Sequence, residues 1–179
     1  MIDVVPVPVP PSGTADGGLE IGIEVADAAW TAALADAEAL VERALLAAYA
    51  GGSGVHAEAA EVSLVLASDA MVADLNRDYR GKDGPTNVLS FAQSDGEQPP
   101  AVAGMPEMLG DVIIAFGVTQ AEARDQGIPL ADHLSHLCVH GMLHLLGFDH
   151  EDAAEADEME RLETDILGTL GVPDPYGKE

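Results

Sequence analysis

His140, His144 and His150 carry the clearest chemical signal in this chain. His140 and His144 lie four residues apart. A helix through them sets both imidazoles on one face, about one turn apart, where they can share a metal ion. Gly147 permits a left-handed backbone that stops the helix and turns the chain. His150 then returns three residues later to fill a third position. Three neutral imidazoles leave the fourth position of a tetrahedral zinc open to water, whose pKa such an ion lowers to about 7. The expectation is one zinc ion per chain, held by His140, His144 and His150 and serving hydrolysis.

The spacing His-x3-His-x2-Gly-x2-His is that of metzincin peptidases, with one departure. Those enzymes carry glutamate directly after the first histidine as general base, and this chain has Gly141 there. A peptidase built on this helix lacks its proton acceptor, which argues against that reading. Asp149 is the adjacent acid, able to orient a histidine or to accept a proton. His133 and His136 precede His140 by seven and four residues and extend the same face. They are read as pocket lining, outer hydrogen-bond partners or polar helix surface. Cys138 points roughly 200° away from His140 around the helix and reads as a packed core thiol.

A chain of 179 residues is long enough to build a core without disulfides or a structural metal. One cysteine excludes an internal disulfide framework and fits a reducing cytoplasm. Residues 1–18 are rich in proline, carry no basic export signal, and read as a disordered tail before a single domain over 19–179. No apolar run reaches the roughly 18 residues of a membrane span. The formal net charge is -25, from 32 acids against 7 Lys and Arg. That excess argues against broad electrostatic binding to nucleic acid or anionic membranes. Yet Arg77, Arg80 and Lys82 fall within six residues, so an anion is expected at 77–82 if anywhere.

These residues must be positioned by regular elements. Leu19 to Val25 alternates like a half-buried strand. Residues 31–49, rich in Ala, Leu and Glu, read as one helix ended by Gly51, Gly52 and Gly54. Glu61–Ala67 reads as a strand, and Ser68 and Asp69 cap a helix over 70–80. Residues 81–87 form a loop by composition and 88–92 a third strand. Residues 93–108 read as a long loop and Gly110–Phe116 as a buried fourth strand. Helices are expected over 118–126, 130–146 and 151–170, the last acidic with a core stripe of Met159, Leu162, Ile166 and Leu170. The class is α+β, a small mixed sheet of about four strands packed with helices, with the metal site on a helix of the C-terminal half.

The segments HGMLHLLGFDH (140–150), LNRDYRGKDGPTNVLSF (75–91) and LGDVIIA (109–115) closely resemble the YbeY family of bacterial endoribonucleases, over about 19–170. The resemblance implies a metal-dependent, single-strand-specific endoribonuclease acting in ribosomal RNA maturation, notably at the 16S 3′ end, and in ribosome quality control. It implies zinc on His140, His144 and His150 and a functional arginine, Arg80. Phe148 stands where the family usually has tyrosine. Partners implied are single-stranded RNA and the small ribosomal subunit with its proteins.

In this reading Arg80, His140 and Asp149 are the candidate catalytic residues. Arg80 matches phosphate oxygens in bidentate fashion. Arg77, Lys82, Thr86 and Asn87 are candidate RNA contacts. Strand 88–92 is expected to carry the basic loop to one rim of the metal cleft. The net charge is reconciled with an RNA substrate in one of two ways: the acids, above all those of helix 151–170, occupy the far surface, or affinity comes mainly from protein partners on the ribosome. Two alternatives stand beside it: a metalloprotease-like hydrolase, and a non-catalytic ribosome-assembly factor with a structural zinc.

Overall fold

The computed structural model describes residues 18–52, 59–93 and 105–177. Its elements run β1 (Leu19–Val25), α1 (Ala29–Ala33), α2 (Ala37–Gly52), β2 (Ala60–Ala67), α3 (Asp69–Arg80), β3 (Val88–Ala92), β4 (Glu107–Ala115), α4 (Phe116–Gln126), α5 (Leu130–Leu145) and α6 (Ala153–Thr169). The four strands form one mixed sheet in the order β1-β2-β4-β3. β1, β2 and β4 are parallel, and β3 pairs antiparallel with β4 at the edge. The architecture is the expected α+β class.

Strand alternation divides the core in two. One face carries Leu19, Ile21, Val62, Leu64, Leu66, Val112 and Ile114, which pack into the larger cluster with the buried residues of α2, α5 and α6. The opposite face carries Ala67, Leu89, Ile113 and Ala115, packed with Val72 of α3. Period-2 burial over both faces is what a central sheet with helices on each side requires. Cys138 is fully buried in the larger cluster.

The structure corrects several boundaries. The single helix expected over 31–49 is two, α1 and α2, broken at Leu34, whose backbone is extended at φ -133° and ψ 99°. Trp30 explains the break. Its ring is fully buried, donates from Nε1 to the Ala67 carbonyl at 3.0 Å, and meets Phe116 edge-on at 5.1 Å. These anchors, far apart in sequence, override the helix propensity of an Ala-rich run. Gly51 and Gly52 lie inside α2 and not beyond it, while Gly54 is outside the described residues. β4 begins at Glu107, earlier than expected, and Phe116 opens α4. The pairing of β2 with β4 shifts register between Glu61 and Val62, and β4 bulges there, where Gly110 takes φ +137°. The expected loop 93–108 lies largely outside the described residues, as does the tail up to residue 17. α3 begins as expected, with Ser68 Oγ accepting from Met71 N–H at 3.2 Å.

Candidate metal centre and cleft

α5 supplies two of the three histidines. Leu134, Leu137, Cys138, Met142 and Leu145 bury its inner side, which leaves His140 and His144 half-buried. The helix ends in a Schellman turn: Phe148 N–H donates to Leu143 O at 3.0 Å and Gly147 N–H to His144 O at 3.1 Å. Gly147 takes φ +100° there, a conformation that costs glycine little. The reversal returns His150 to the helix end. Ring centroids are 4.6 Å apart for His140–His144, 5.1 Å for His144–His150 and 5.9 Å for His140–His150.

The donor set fits a divalent ion. One ligand atom from each of His140, His144 and His150 lies within 4.8 Å of the others. Nε2 of His140 and Nε2 of His144 are 3.1 Å apart, and zinc–nitrogen bonds at tetrahedral angles put two ligand nitrogens about 3.3 Å apart. The outward sides of the rings are engaged elsewhere. His140 Nδ1 lies 2.5 Å from Glu163 Oε1, the His144 ring hydrogen-bonds the Phe148 backbone, and His150 Nδ1 lies 3.4 Å from Asp149 Oδ1. A partner on the outer nitrogen selects the tautomer whose lone pair faces a metal. Burial, then the neighbouring His140 and His150, lowers the His144 pKa, which favours the neutral form a ligand must have.

The rings open onto a cleft of about 540 Å³. Edge strand β3 contributes Val88, Ser90 and Ala92 to it, and the segment after α5 contributes Phe148, Asp149 and Glu151. Arg80, the last residue of α3, and Asn87 complete the lining. Gly81, at φ +64°, ends α3 there. The loop beyond is pinned by Asn76 Nδ2, which donates to Gly84 O at 2.9 Å.

The structure thus gathers Arg80, Asn87, His140, His144, Asp149 and His150 in one cleft. Arg77, Lys82 and Thr86 are not among its lining residues. Arg77 is held in solvent by Asp74 at 3.1 Å and Asp78 at 3.3 Å. Asn87 donates from Nδ2 to Glu122 Oε2 at 3.1 Å and accepts from Val88 N–H at 2.7 Å. Asp149 Oδ1 accepts from His150 N–H at 2.7 Å. That backbone bond is the main reason its carboxyl sits below the usual range, so it is a weak proton acceptor.

Neither histidine upstream on α5 lines the cleft. His133 is buried, with Nε2 2.7 Å from the same Glu122 oxygen that Asn87 reaches. His136 Nε2 lies 3.1 Å from Glu163 Oε2. Sequence reasoning missed Glu163 altogether. It is fully buried, whereas Glu155, Asp157, Glu158, Glu160 and Asp165 of α6 are exposed. Burial alone would raise its pKa, but hydrogen bonds from His136, His140 and Tyr176 outweigh that and hold it down to about 2. The missed signal was its position: Met159, Glu163 and Ile166 share one helical stripe. Ser90 was also missed, for it looks like any alternating strand residue.

Gly141 has a structural reason. A Cβ there would lie 2.8 Å from Val112 Cγ1 and 3.1 Å from Val112 Cγ2, with Ser90 Oγ at 3.3 Å. Position 141 therefore faces the sheet at close quarters, with no room for a glutamate. Gly141→Ala is expected to overpack this contact by about 1–3 kcal/mol, against up to about 1 kcal/mol gained in helix propensity. The net result is a lower Tm in a thermal melt of the metal-free protein. An unchanged or raised Tm would mean that α5 yields freely at this point.

Comparison with known proteins follows the same lines. The family model described as Endoribonuclease YbeY matches residues 24–171. A protein named Endoribonuclease YbeY from Paramagnetospirillum magneticum is 56% identical over 161 residues, covering 90% of this chain and 98% of that protein. Its namesake from Rhodospirillum rubrum is 51% identical over 166 residues, covering 90% of this chain and 83% of the relative. A solution structure of a Thermotoga maritima protein superposes with TM-score 0.51 at 21% identity, covering 88% of this chain and 99% of that one, and supports the fold alone.

Proposed function

The chain belongs to the YbeY endoribonuclease family, and from that premise we propose that it hydrolyses phosphodiester bonds in single-stranded RNA at a zinc ion held by His140, His144 and His150. The observation that carries the reading is the convergence of those three rings on a cleft whose lining includes an arginine. Zinc bound there supplies Lewis acidity and a water acidic enough to ionise near neutral pH.

The chain's own residues do the rest. Arg80 grips the phosphate, its guanidinium offering two parallel N–H donors to phosphate oxygens and keeping its charge at every relevant pH. Asp149 serves His150 as an orienting partner, given the bond it accepts from that residue's backbone. Asn87, fixed by Glu122 and by its own bond to Val88 N–H, presents its remaining amide hydrogen to the strand. Lys82 and Thr86, in the loop after Arg80, and the solvent-exposed Arg77 are at most distant phosphate contacts. With one arginine in the cleft and acids Asp149 and Glu151 beside it, affinity for free RNA is weak and falls with salt. That suits a substrate delivered on the small ribosomal subunit, where the family resemblance places 16S 3′-end maturation. Among the described residues no helix is long and apolar enough to cross a membrane, consistent with work in the cytoplasm.

The test is an RNA assay with metal removal. Purified protein is expected to cut single-stranded RNA and to leave duplex RNA and casein intact. A chelator abolishes cutting and added zinc restores it. Cutting that survives both the chelator and His140→Ala belongs to a contaminant. Casein cleavage lost under both would favour the peptidase reading, and zinc binding with no cutting at all the structural one.

A further inference from the structure

We propose that Glu163 is the positioning residue of the metal centre, fixing the His140 ring for its ion, and that Tyr176 of the C-terminal segment holds Glu163 in place. The inference rests on the metal reading above and extends it to residues outside the cleft.

Glu163 lies on α6, on the same buried stripe as Met159 and Ile166. A carboxylate survives at such a position only when its oxygens are hydrogen-bonded and its charge is compensated. Both oxygens are used. Oε1 faces His140 Nδ1 at 2.5 Å, and Oε2 faces His136 Nε2 at 3.1 Å and accepts from the Tyr176 hydroxyl. A carboxylate acceptor at Nδ1 requires the proton to sit there, which leaves the lone pair on Nε2. That nitrogen is the one 3.1 Å from Nε2 of His144. Glu163 thereby selects both the tautomer and the ring orientation that ligation needs.

His136, His140 and Glu163 also lie within 4.8 Å of one another, as a second ion would require. The 2.5 Å separation speaks against that, being a hydrogen-bond length well below the roughly 3.3 Å between two ligands of one tetrahedral ion. A second ion would also claim the remaining nitrogen of His140. The cluster is therefore a hydrogen-bonded support.

Tyr176 reaches this support through a strap. Asp174 Oδ1 accepts from Thr164 Oγ1 at 3.1 Å and from Tyr176 N–H at 2.8 Å, folding the chain end back on α6. The Tyr176 ring then stands edge-on to His136, with centroids 5.5 Å apart at 87°. The strap places its hydroxyl on Glu163 Oε2, the oxygen that His140 does not use. Metal affinity is in this way tied to a contact made by the segment that follows α6.

The experiment uses the full chain, zinc alone and a chromogenic competing chelator. Glu163→Gln keeps the shape but places a neutral amide at Nδ1, and zinc binding is expected to weaken about 10–100-fold. Tyr176→Phe should weaken it less, in the same direction. Long-range proton–nitrogen NMR on metal-free protein should find His140 protonated at Nδ1 in the wild type and mixed in Glu163→Gln. Equal zinc affinity in wild type and Glu163→Gln overturns the proposal. If Glu163→Gln does not fold, Tyr176→Phe decides, and unchanged affinity with an unchanged tautomer overturns it. Wild-type protein that binds no zinc would instead sink the metal reading, while the metal-free tautomer would still report on Glu163.

Discussion

His144→Ala is expected to remove zinc binding from the protein and RNA cleavage with it. Losing an outer hydrogen-bond partner of a ligand costs roughly 10–100-fold in metal affinity or activity, and losing one of three ligands should cost more. His144 is cleaner to remove than His140. His140 is bonded to the buried Glu163, so its loss also strips a partner from a buried carboxylate. His150 is largely exposed, so its loss perturbs little besides the metal. The inner side of α5 is untouched by His144→Ala, so the metal-free variant should melt close to the metal-free wild type. The difference appears on adding zinc. A ligand at 100 times its Kd stabilises the folded state by about 2.7 kcal/mol, and the variant should show none of that rise. A thermal melt with and without zinc, beside the RNA assay, checks both halves. A variant that still gains stability from zinc and still cuts RNA would mean that these rings are not the ligands.

The convergence of His140, His144 and His150 is legible in the sequence because everything that brings these rings together is local. A helical offset of four, a glycine that ends the helix and a return of three residues are set by backbone geometry within one segment. Arg80 and β3 needed more. The sequence marks 77–82 as basic, but which cation reaches the cleft depends on how α3 ends. The last turn directs Arg80 to the cleft and leaves Arg77 to Asp74 and Asp78, so a strip of three positive charges reduces in the cleft to one.

Glu163 marks the limit of that reading. It lies 23 residues beyond His140 on a helix dense in acids, and composition alone assigns such a helix to solvent. The stripe Met159, Leu162, Ile166 and Leu170 is plain in the sequence, yet Glu163 falls between its members and reads with the surface acids. A charge inside an apolar stripe asks for a buried partner, and the partners here are His140 and His136 of α5, the second of which helical spacing leaves undecided. The break between α1 and α2 is a failure of the same kind. Ala and Leu at those positions favour continuous helix, but Trp30 is anchored to the end of β2, and no local pattern records that bond.

Arg80→Ala should lower RNA cleavage by about 10²–10³-fold, the loss seen when one donor to developing charge is removed, while leaving zinc bound. The separation follows from where the residue sits. Arg80 is exposed at the C-terminal end of α3 and shares the cleft with the histidines, but it makes no hydrogen bond to them among the described residues. Arg80→Lys tests the geometry of the charge. Lysine keeps the cation and loses the planar fork, so activity should fall between wild type and alanine. Arg77→Ala is the matched control, since its guanidinium is already held by two aspartates in solvent, and its cleavage rate should stay near wild type. Salt gives an independent readout. Each lost phosphate contact reduces the slope of log affinity against log salt by about one, so Arg80→Ala should bind RNA with a shallower dependence and Arg77→Ala should not. If Arg80→Ala instead releases zinc, or if both variants lose activity equally, the arginine is not the phosphate grip of this cleft.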